Sequence, residues 1–391
     1  MKILFVVEGF TDIRFVKGLS EIGGLTVLVP SRQYRSSGLD KRILYERLRL
    51  KVHEIEGSRL AYQAASFAYL WKHAREFDII LAQEALRGSL NSGLSGYLHG
   101  VPVVNYVGVD AEAYFRCRRE RRQYGPFKYF IGQLVIRGLL SINGKLGTRW
   151  VAVGPYLKEV CARYSRRVEL GFAYGVDTDL YVPLRDEADR VALRQQLGLP
   201  QKAFLIFLSS RISHEKDPET VLQAAAAARK AGLNAVVFNL GGGFQDFLNL
   251  AQRMRLPDAD QWVIGRPAAH PMYDLPRYYQ AADCLAQASL AEGAGMSPLE
   301  ALACGTPAVC TAVGGMARIL KSHARLTPRR DPEAMAKEFL WIAANPDEAR
   351  KQALEARQFV IREWNRNRAF QSLAEILEEC CREAAAKRNC R

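Results

Sequence analysis

Short apolar runs alternate along the chain with segments of helical length that mix apolar and polar positions. This alternation predicts α/β units on parallel sheets. In the first half the apolar runs predict strands at Ile3–Val7, Thr26–Val29, Ile79–Ala82, Val103–Val107 and Trp150–Val153. Helices are expected between them, for instance over Thr11–Ile22 and Leu60–Glu76. The scheme then repeats, with strands at Phe204–Leu208, Ala235–Leu240, Trp262–Ile264, Cys284–Ala286 and Ala308–Thr311. Helices are expected near Pro218–Ala231, Phe244–Arg255, Pro298–Cys304 and Asp331–Ala344. Between the halves, Tyr174 to Asp179 is rich in turn-forming residues and follows a further strand near Val168–Leu170. From Trp364 onward the tail reads as helix.

A length of 391 residues accommodates two to three domains. No run approaches the ~18 apolar residues a spanning helix requires. The opening MKILFVV is short for a signal-peptide core and reads as a buried strand. Eight cysteines without Cys-x-x-Cys spacing suggest a reducing cytoplasm rather than a disulfide framework. Six histidines without ligand spacing indicate no metal site. Net charge is +14, and residues 1–180 hold 27 Lys and Arg against 17 Asp and Glu. Such an excess suits an anionic partner. With no helix-turn-helix, zinc finger or RNA-binding signature, nucleic acid is not expected.

The segment Glu292 to Val309, EGAGMSPLEALACGTPAV, carries the most chemistry. Its glycines form a loop that runs into a helix. Ser297 suits the cap, Pro298 the first helical position, and Glu300 completes a Ser-x-x-Glu capping box. Free backbone N–H groups at a helix start hold an anion well. Carboxylates on both sides, Glu292 and Glu300, are pure acceptors and match the donor hydroxyls of a sugar. Phosphate plus sugar is the reading. A second cluster, Ser209 to Lys216, lies between a strand and a helix, at the strand end where open α/β sheets place ligands. Arg211 brings a guanidinium fork and Lys216 a point charge, a pair suited to a diphosphate.

The Glu292–Glu300 segment resembles the donor motif of glycosyltransferase family 4, retaining nucleotide-sugar enzymes of the GT-B fold. The family pattern is a Glu, seven residues and a second Glu, usually opening Glu-Gly-Phe-Gly. Here Ala294 stands in place of the Phe. The resemblance implies two Rossmann-like α/β domains facing a cleft. The acceptor-side domain would be 1–177, the nucleotide-sugar domain 178–364, and a helix over 365–391 would cross back to the first. It implies that Arg211 and Lys216 bind the donor diphosphate, with the amides of Gly293, Ala294, Gly295 and Met296. Glu292 would accept from the sugar hydroxyls and Glu300 from those of the ribose. Gly241-Gly242-Gly243 matches the family's glycine turn, and Gly265-Arg266-Pro267 the loop whose backbone often meets the nucleobase, so Arg266 joins the donor-side candidates through its backbone.

In the first half, Glu8-Gly9-Phe10-Thr11 stands where the family has a glycine loop near the donor phosphates, with Gly9 the candidate. After Val103–Val107 many relatives have a His beside the sugar. This chain reads Val107-Gly108-Val109-Asp110, leaving Asp110 as the acceptor-side candidate. Residues 113–140 mix Arg116, Arg118, Arg119, Arg121 and Arg122 with Tyr114, Phe115, Tyr124, Phe127, Tyr129 and Phe130. Three readings stay open: an anionic membrane surface, a solvated basic helix followed by a core helix, or a site for an anionic acceptor. The function expected is retaining, metal-independent transfer from a nucleoside diphosphate sugar to a hydroxyl acceptor, as in polysaccharide biosynthesis. No cofactor is expected, and the place is the cytoplasm, with the inner membrane face as an option. An epimerase of the same fold or a non-catalytic nucleotide-sugar-binding protein are the alternatives.

Overall fold

The structure, a computed structural model, describes all residues except Phe10, 32–47, Arg49, 121–123, Gly242, 268–272 and Arg391. Arg121, Arg122, Phe10 and Gly242, named above, therefore lie outside the described residues. The chain forms two compact units, Met1–Tyr174 with Asn367–Arg391, and Gly175–Arg366.

Among the described residues the first unit carries a parallel seven-stranded sheet. Its strands are β1 Lys2–Val6, β2 Gly24–Pro30, β3 Lys51–Ile55, β4 Ile79–Gln83, β5 Val103–Val107, β6 Arg149–Val153 and β7 Val168–Gly171. Their order is β3-β2-β1-β4-β5-β6-β7, with Ile3 paired to Leu25 on one side and Ile79 on the other. The order reverses at β1/β4, the point where such sheets accept ligands outside their carboxyl ends. Residues of the last helix, Arg366–Asn389, close this unit. Phe370 packs on Phe15, with ring centroids 6.0 Å apart, and Arg149 donates to Glu379 and Glu383. Glycine at position 18 admits the Phe370 ring, since a Cβ there would lie 1.9 Å from it.

The second unit carries a parallel six-stranded sheet among the described residues. Its strands are β8 Phe204–Leu208, β9 Ala235–Leu240, β10 Val263–Arg266, β11 Cys284–Gln287, β12 Ala308–Thr311 and β13 Arg325–Thr327. The order β10-β9-β8-β11-β12-β13 reverses at β8/β11. Fully buried strands account for the apolar runs: every residue of β9, β11 and β12 is buried. Phe207 and Phe238 stack at 4.6 Å across β8 and β9.

Two strands lie outside the expected set, β3 and β13, and both are sheet edges. The run KVHEI of β3 is half-exposed and β13 is only three residues long, so neither presents a continuous apolar run. All eight cysteines are free thiols.

Candidate functional site

In the second unit, the turns after β8 and β11 lie side by side. Asn239 Nδ2 fixes the first by donating to the carbonyls of Leu208, at 2.6 Å, and Ser210, at 3.0 Å. The chain then makes one 3-10 turn, His214–Lys216. Asp217 ends it in the left-handed region at φ 44°, and Pro218 starts the helix Pro218–Lys230. Asp217 Oδ2 accepts from the Thr220 hydroxyl at 2.7 Å. Burial raises the Asp217 pKa, against the opposing pull of that hydrogen bond.

This geometry delivers the half-buried Lys216 ammonium to Glu292 Oε2, at 2.5 Å. The same oxygen accepts from Gln287 Nε2 at 2.8 Å and from Ser289 Oγ at 3.1 Å. A backbone bond from Leu290 N–H to the Glu215 carbonyl, at 2.8 Å, ties the two turns together. Burial pushes the Glu215 pKa up, but its own N–H, the Ser213 hydroxyl and the Arg211 and Lys216 cations outweigh it, and the net shift is downward. Arg211 is the exposed member, at 63% side-chain exposure, with a guanidinium nitrogen 3.8 Å from Glu215. Two cations, one held by Glu292 and one exposed beside Glu215, thus stand together at a strand end.

The glycine loop follows at once. Gly295 at φ 80° reverses the chain into the helix Met296–Ala303, and a Cβ there would lie 2.6 Å from Met316 Cγ. Gly315 admits the loop from the other side: it donates to the Glu292 carbonyl at 3.0 Å, and a Cβ on it would overlap the Gly293 carbonyl oxygen at 1.6 Å. The expected capping box is not formed. Gly295 is the cap residue, no side chain caps the helix, and Ser297 and Pro298 fall inside its first turn. The left-handed glycine starts the helix two residues early, so Glu300 is not a capping side chain. It is 1% exposed and accepts from the Tyr279 hydroxyl at 2.7 Å. Burial first, then the Glu300 charge, raises the Tyr279 pKa well above the phenol range, so the ring stays a donor.

Lys216, Glu292, the loop Gly293–Met296 and Glu300 thus share one edge, with Arg211 on the neighbouring turn. The Arg266 side chain goes elsewhere: its guanidinium donates to the carbonyls of Leu197 and Gly198 beyond the helix Glu187–Gln196. What Arg266 offers near the glycine turn is its carbonyl, which accepts from Gly241 N–H at 3.1 Å. In the first unit, Gly9 has no atom within 4 Å of where its Cβ would be. Its neighbour Glu8 accepts from Gly88 N–H at 2.9 Å. Asp110 is buried, with Oδ1 accepting from Ala113 N–H at 2.9 Å and Oδ2 from the Tyr156 hydroxyl at 2.6 Å. Among the described residues no group of three His, Cys, Asp or Glu could hold a metal ion.

Sequence reading missed Gln287, Ser289, Tyr279 and Gly315. The first two stand at or just past the end of β11, so the rule that strand carboxyl ends carry ligand groups could have found them. Tyr279 and Gly315 act through tertiary contacts that no local spacing reveals.

Residues 189–359 match the family described as glycosyl transferases group 1. The D-inositol 3-phosphate glycosyltransferase 1 of Catenulispora acidiphila is 32% identical over 193 residues, which cover 46% of this chain and 44% of that protein. The chain therefore spans less than half the length of that curated relative. Over 97% of its length the chain is similar in structure to Anabaena Alr3699/HepE in complex with UDP-glucose, covering 100% of that chain at TM-score 0.78 and 19% identity. It is similar in the same way to the sucrose-phosphate synthase of Thermosynechococcus elongatus, at TM-score 0.72 and 17% identity, covering 97% of this chain and 98% of that one. The fold is GT-B, two Rossmann-like α/β units.

Proposed function

We propose, for a chain whose residues 189–359 form a glycosyl transferases group 1 domain, that it moves a sugar from a nucleoside diphosphate sugar to a hydroxyl acceptor with retention at the anomeric carbon. The observation that carries this reading is the contact between Lys216 and Glu292, residues 76 apart in sequence, beside a glycine loop that opens a helix. A diphosphate needs cations and directed N–H groups, and a sugar needs acceptors; this edge offers both.

Without donor, Glu292 neutralises Lys216. On binding, the ammonium turns to the diphosphate, joined by the exposed Arg211, and Glu292 takes hydrogen bonds from the sugar hydroxyls. Glu300, oriented by Tyr279, accepts from the ribose. The amides of residues 293–296 face the phosphates at the positive helix end. The bond between the anomeric carbon and the β-phosphate oxygen breaks as the acceptor oxygen bonds to the same face. The acceptor proton passes to the departing phosphate. Catalysis is then positioning and charge stabilisation, with no side-chain nucleophile.

UDP-glucose is the first donor to test, because it is the ligand of the solved structure named above. D-Inositol 3-phosphate is the first acceptor, from the name of the curated relative. Incubation without acceptor should release free sugar and nucleotide slowly, and turnover should survive exhaustive chelation. Formation of an epimerised nucleotide sugar would replace this reading with an isomerase. No change in any nucleotide sugar would leave a binding protein. Beyond the chemistry, an anionic membrane surface is proposed as the partner of the basic first half.

A further inference from the structure

The helix Pro126–Leu146 in the first unit is amphipathic in the wrong sense for a core helix. Its buried side is built of Gln133, Leu140 and Asn143, together with two glycines. Asn143 Nδ2 donates to the carbonyls of Ala85 and Leu86, and Gln133 Nε2 to that of Glu112. At Gly132 a Cβ would meet the Phe115 ring at 2.3 Å, and at Gly144 the Tyr164 carbonyl at 1.9 Å. Solvent meets the apolar side: Phe127 is 79% and Phe130 64% exposed, with Ile131, Leu134, Val135 and Ile142 exposed beside them. At the helical period these six span a sector of roughly 140°, broader than the stripe by which a surface helix normally grips its core. The reading of a solvated basic helix followed by a core helix fits Ala111–Glu120, with its exposed arginines, but not this second helix. Phe115 stacks on Tyr124 and on Tyr129, while Phe127 and Phe130 of this helix stay outward.

Charge identifies what covers the stripe. The helix has Lys128, Arg137 and Lys145 and no Asp or Glu. Lys128 falls at one edge of the apolar sector and Arg137, paired with Glu112 at 2.8 Å, at the other; Lys145 lies within the sector at the far end of the helix, and exposed Arg116, Arg118 and Arg119 lie on the preceding helix, Ala111–Glu120. A two-fold contact with a second copy would face this cationic rim with itself. An anionic bilayer instead accepts the rim at its headgroups and the apolar sector at the acyl boundary. Among the described residues no helix is long and apolar enough to cross a membrane, so the helix lies along the surface. We propose that the outward face of Pro126–Leu146 is a membrane-docking surface for anionic lipid, with Phe127, Phe130, Ile131 and Leu134 entering the acyl boundary. This deepens the proposed anionic membrane partner and rests on it; it does not depend on sugar transfer.

The test is co-sedimentation with vesicles of phosphatidylcholine alone or with phosphatidylglycerol. Wild type should bind the mixed vesicles at least tenfold more tightly than the neutral ones. Phe130→Ser with Leu134→Ser should lower that affinity at least tenfold at low and high salt. Lys128→Glu with Lys145→Glu should lower it chiefly at low salt, where screening is weak. Both pairs are exposed and outside the donor site, so donor hydrolysis and far-UV circular dichroism should stay unchanged. The proposal is overturned if wild type ignores phosphatidylglycerol vesicles or if Phe130→Ser with Leu134→Ser binds them as wild type does. It is equally overturned if the protein is a dimer in solution that this variant splits. Loss of hydrolysis with vesicle binding intact would count against the transferase reading and leave this one standing.

Discussion

The two units present the same edge, the carboxyl ends of a parallel sheet at its reversal point, and equip it differently. In the second unit the Lys216 ammonium lies 2.5 Å from Glu292, the contact that the proposed function has a donor exchange, and Arg211 stays exposed. In the first unit the carboxylates are committed to the fold. Asp110 holds Ala113 N–H and Tyr156, and Glu8 holds Gly88 N–H and pairs with Arg87 at 3.1 Å. Glu84, at φ 61° just past β4, lies 3.4 Å from Gly108 N–H. The difference is one of backbone anchoring: Asp110 and Glu8 each accept a backbone N–H besides a side-chain partner, whereas the Glu292 oxygen that meets Lys216 accepts from side chains alone.

The sharpest way to break this contrast is Lys216→Ala, and then Arg211→Ala. Each should lower turnover by roughly 10²–10³, the scale for losing one transition-state charge stabiliser. Steady-state kinetics at saturating donor check it, and wild-type rates would move both residues out of the mechanism.

The Tyr279–Glu300 pair separates architecture from ligand binding inside the second unit. Tyr279→Phe strips a donor from a carboxylate that is 1% exposed, so stability should fall by about 1–3 kcal/mol, read by denaturant melts. Glu300→Gln keeps an acceptor for Tyr279, so the melt should shift less while nucleotide affinity drops. The reverse pattern would make Glu300 a structural residue alone.

Glu84 tests the first unit by pH. Burial raises its pKa to about 8, against the pull of the Gly108 and Val109 N–H groups, from an ordinary 4.5. The folded chain then binds more protons than the unfolded one between those values, so this group lowers stability progressively as pH rises from about 4.5 through 8. Glu84→Gln should therefore melt higher than wild type at pH 9, with the gap closing toward pH 5. A constant gap would remove the titration. At Asp110, Asp110→Ala loses a helix cap and leaves the Tyr156 hydroxyl without its acceptor, together about 1–3 kcal/mol, and Asp110→Asn should recover most of it. If Asp110→Asn melts normally yet turns over poorly, the carboxylate has an acceptor-side role beyond its cap.

The sheets, the α/β alternation and the Glu292–Glu300 motif were legible because buried parallel strands are continuous apolar runs and a left-handed loop needs glycine in sequence. The edge strands β3 and β13 were not, because half-exposed or very short strands carry little apolar signal. Ser297 was misread as a cap because Ser-Pro-x-Glu has the local pattern of one, whereas Gly295 starts the helix through tertiary contact with Met316. The Arg266 side chain was not legible either: adjacency to a loop does not tell where a long side chain reaches, and carbonyls beyond a helix end capture it, which leaves the backbone reading of its loop untouched. The outward apolar face of Pro126–Leu146 has the same period as a core stripe. Only packing tells which side the glycines and amides take.

Calorimetric titration of UDP, and of the other nucleoside diphosphates in turn, into wild type and Lys216→Ala tests the donor site most directly. One nucleoside diphosphate should bind wild type, lose at least tenfold in affinity in Lys216→Ala, and bind Asp110→Ala as it binds wild type. Binding of none of them, or equal affinity in wild type and Lys216→Ala, would contradict a diphosphate site at the ends of β8 and β11.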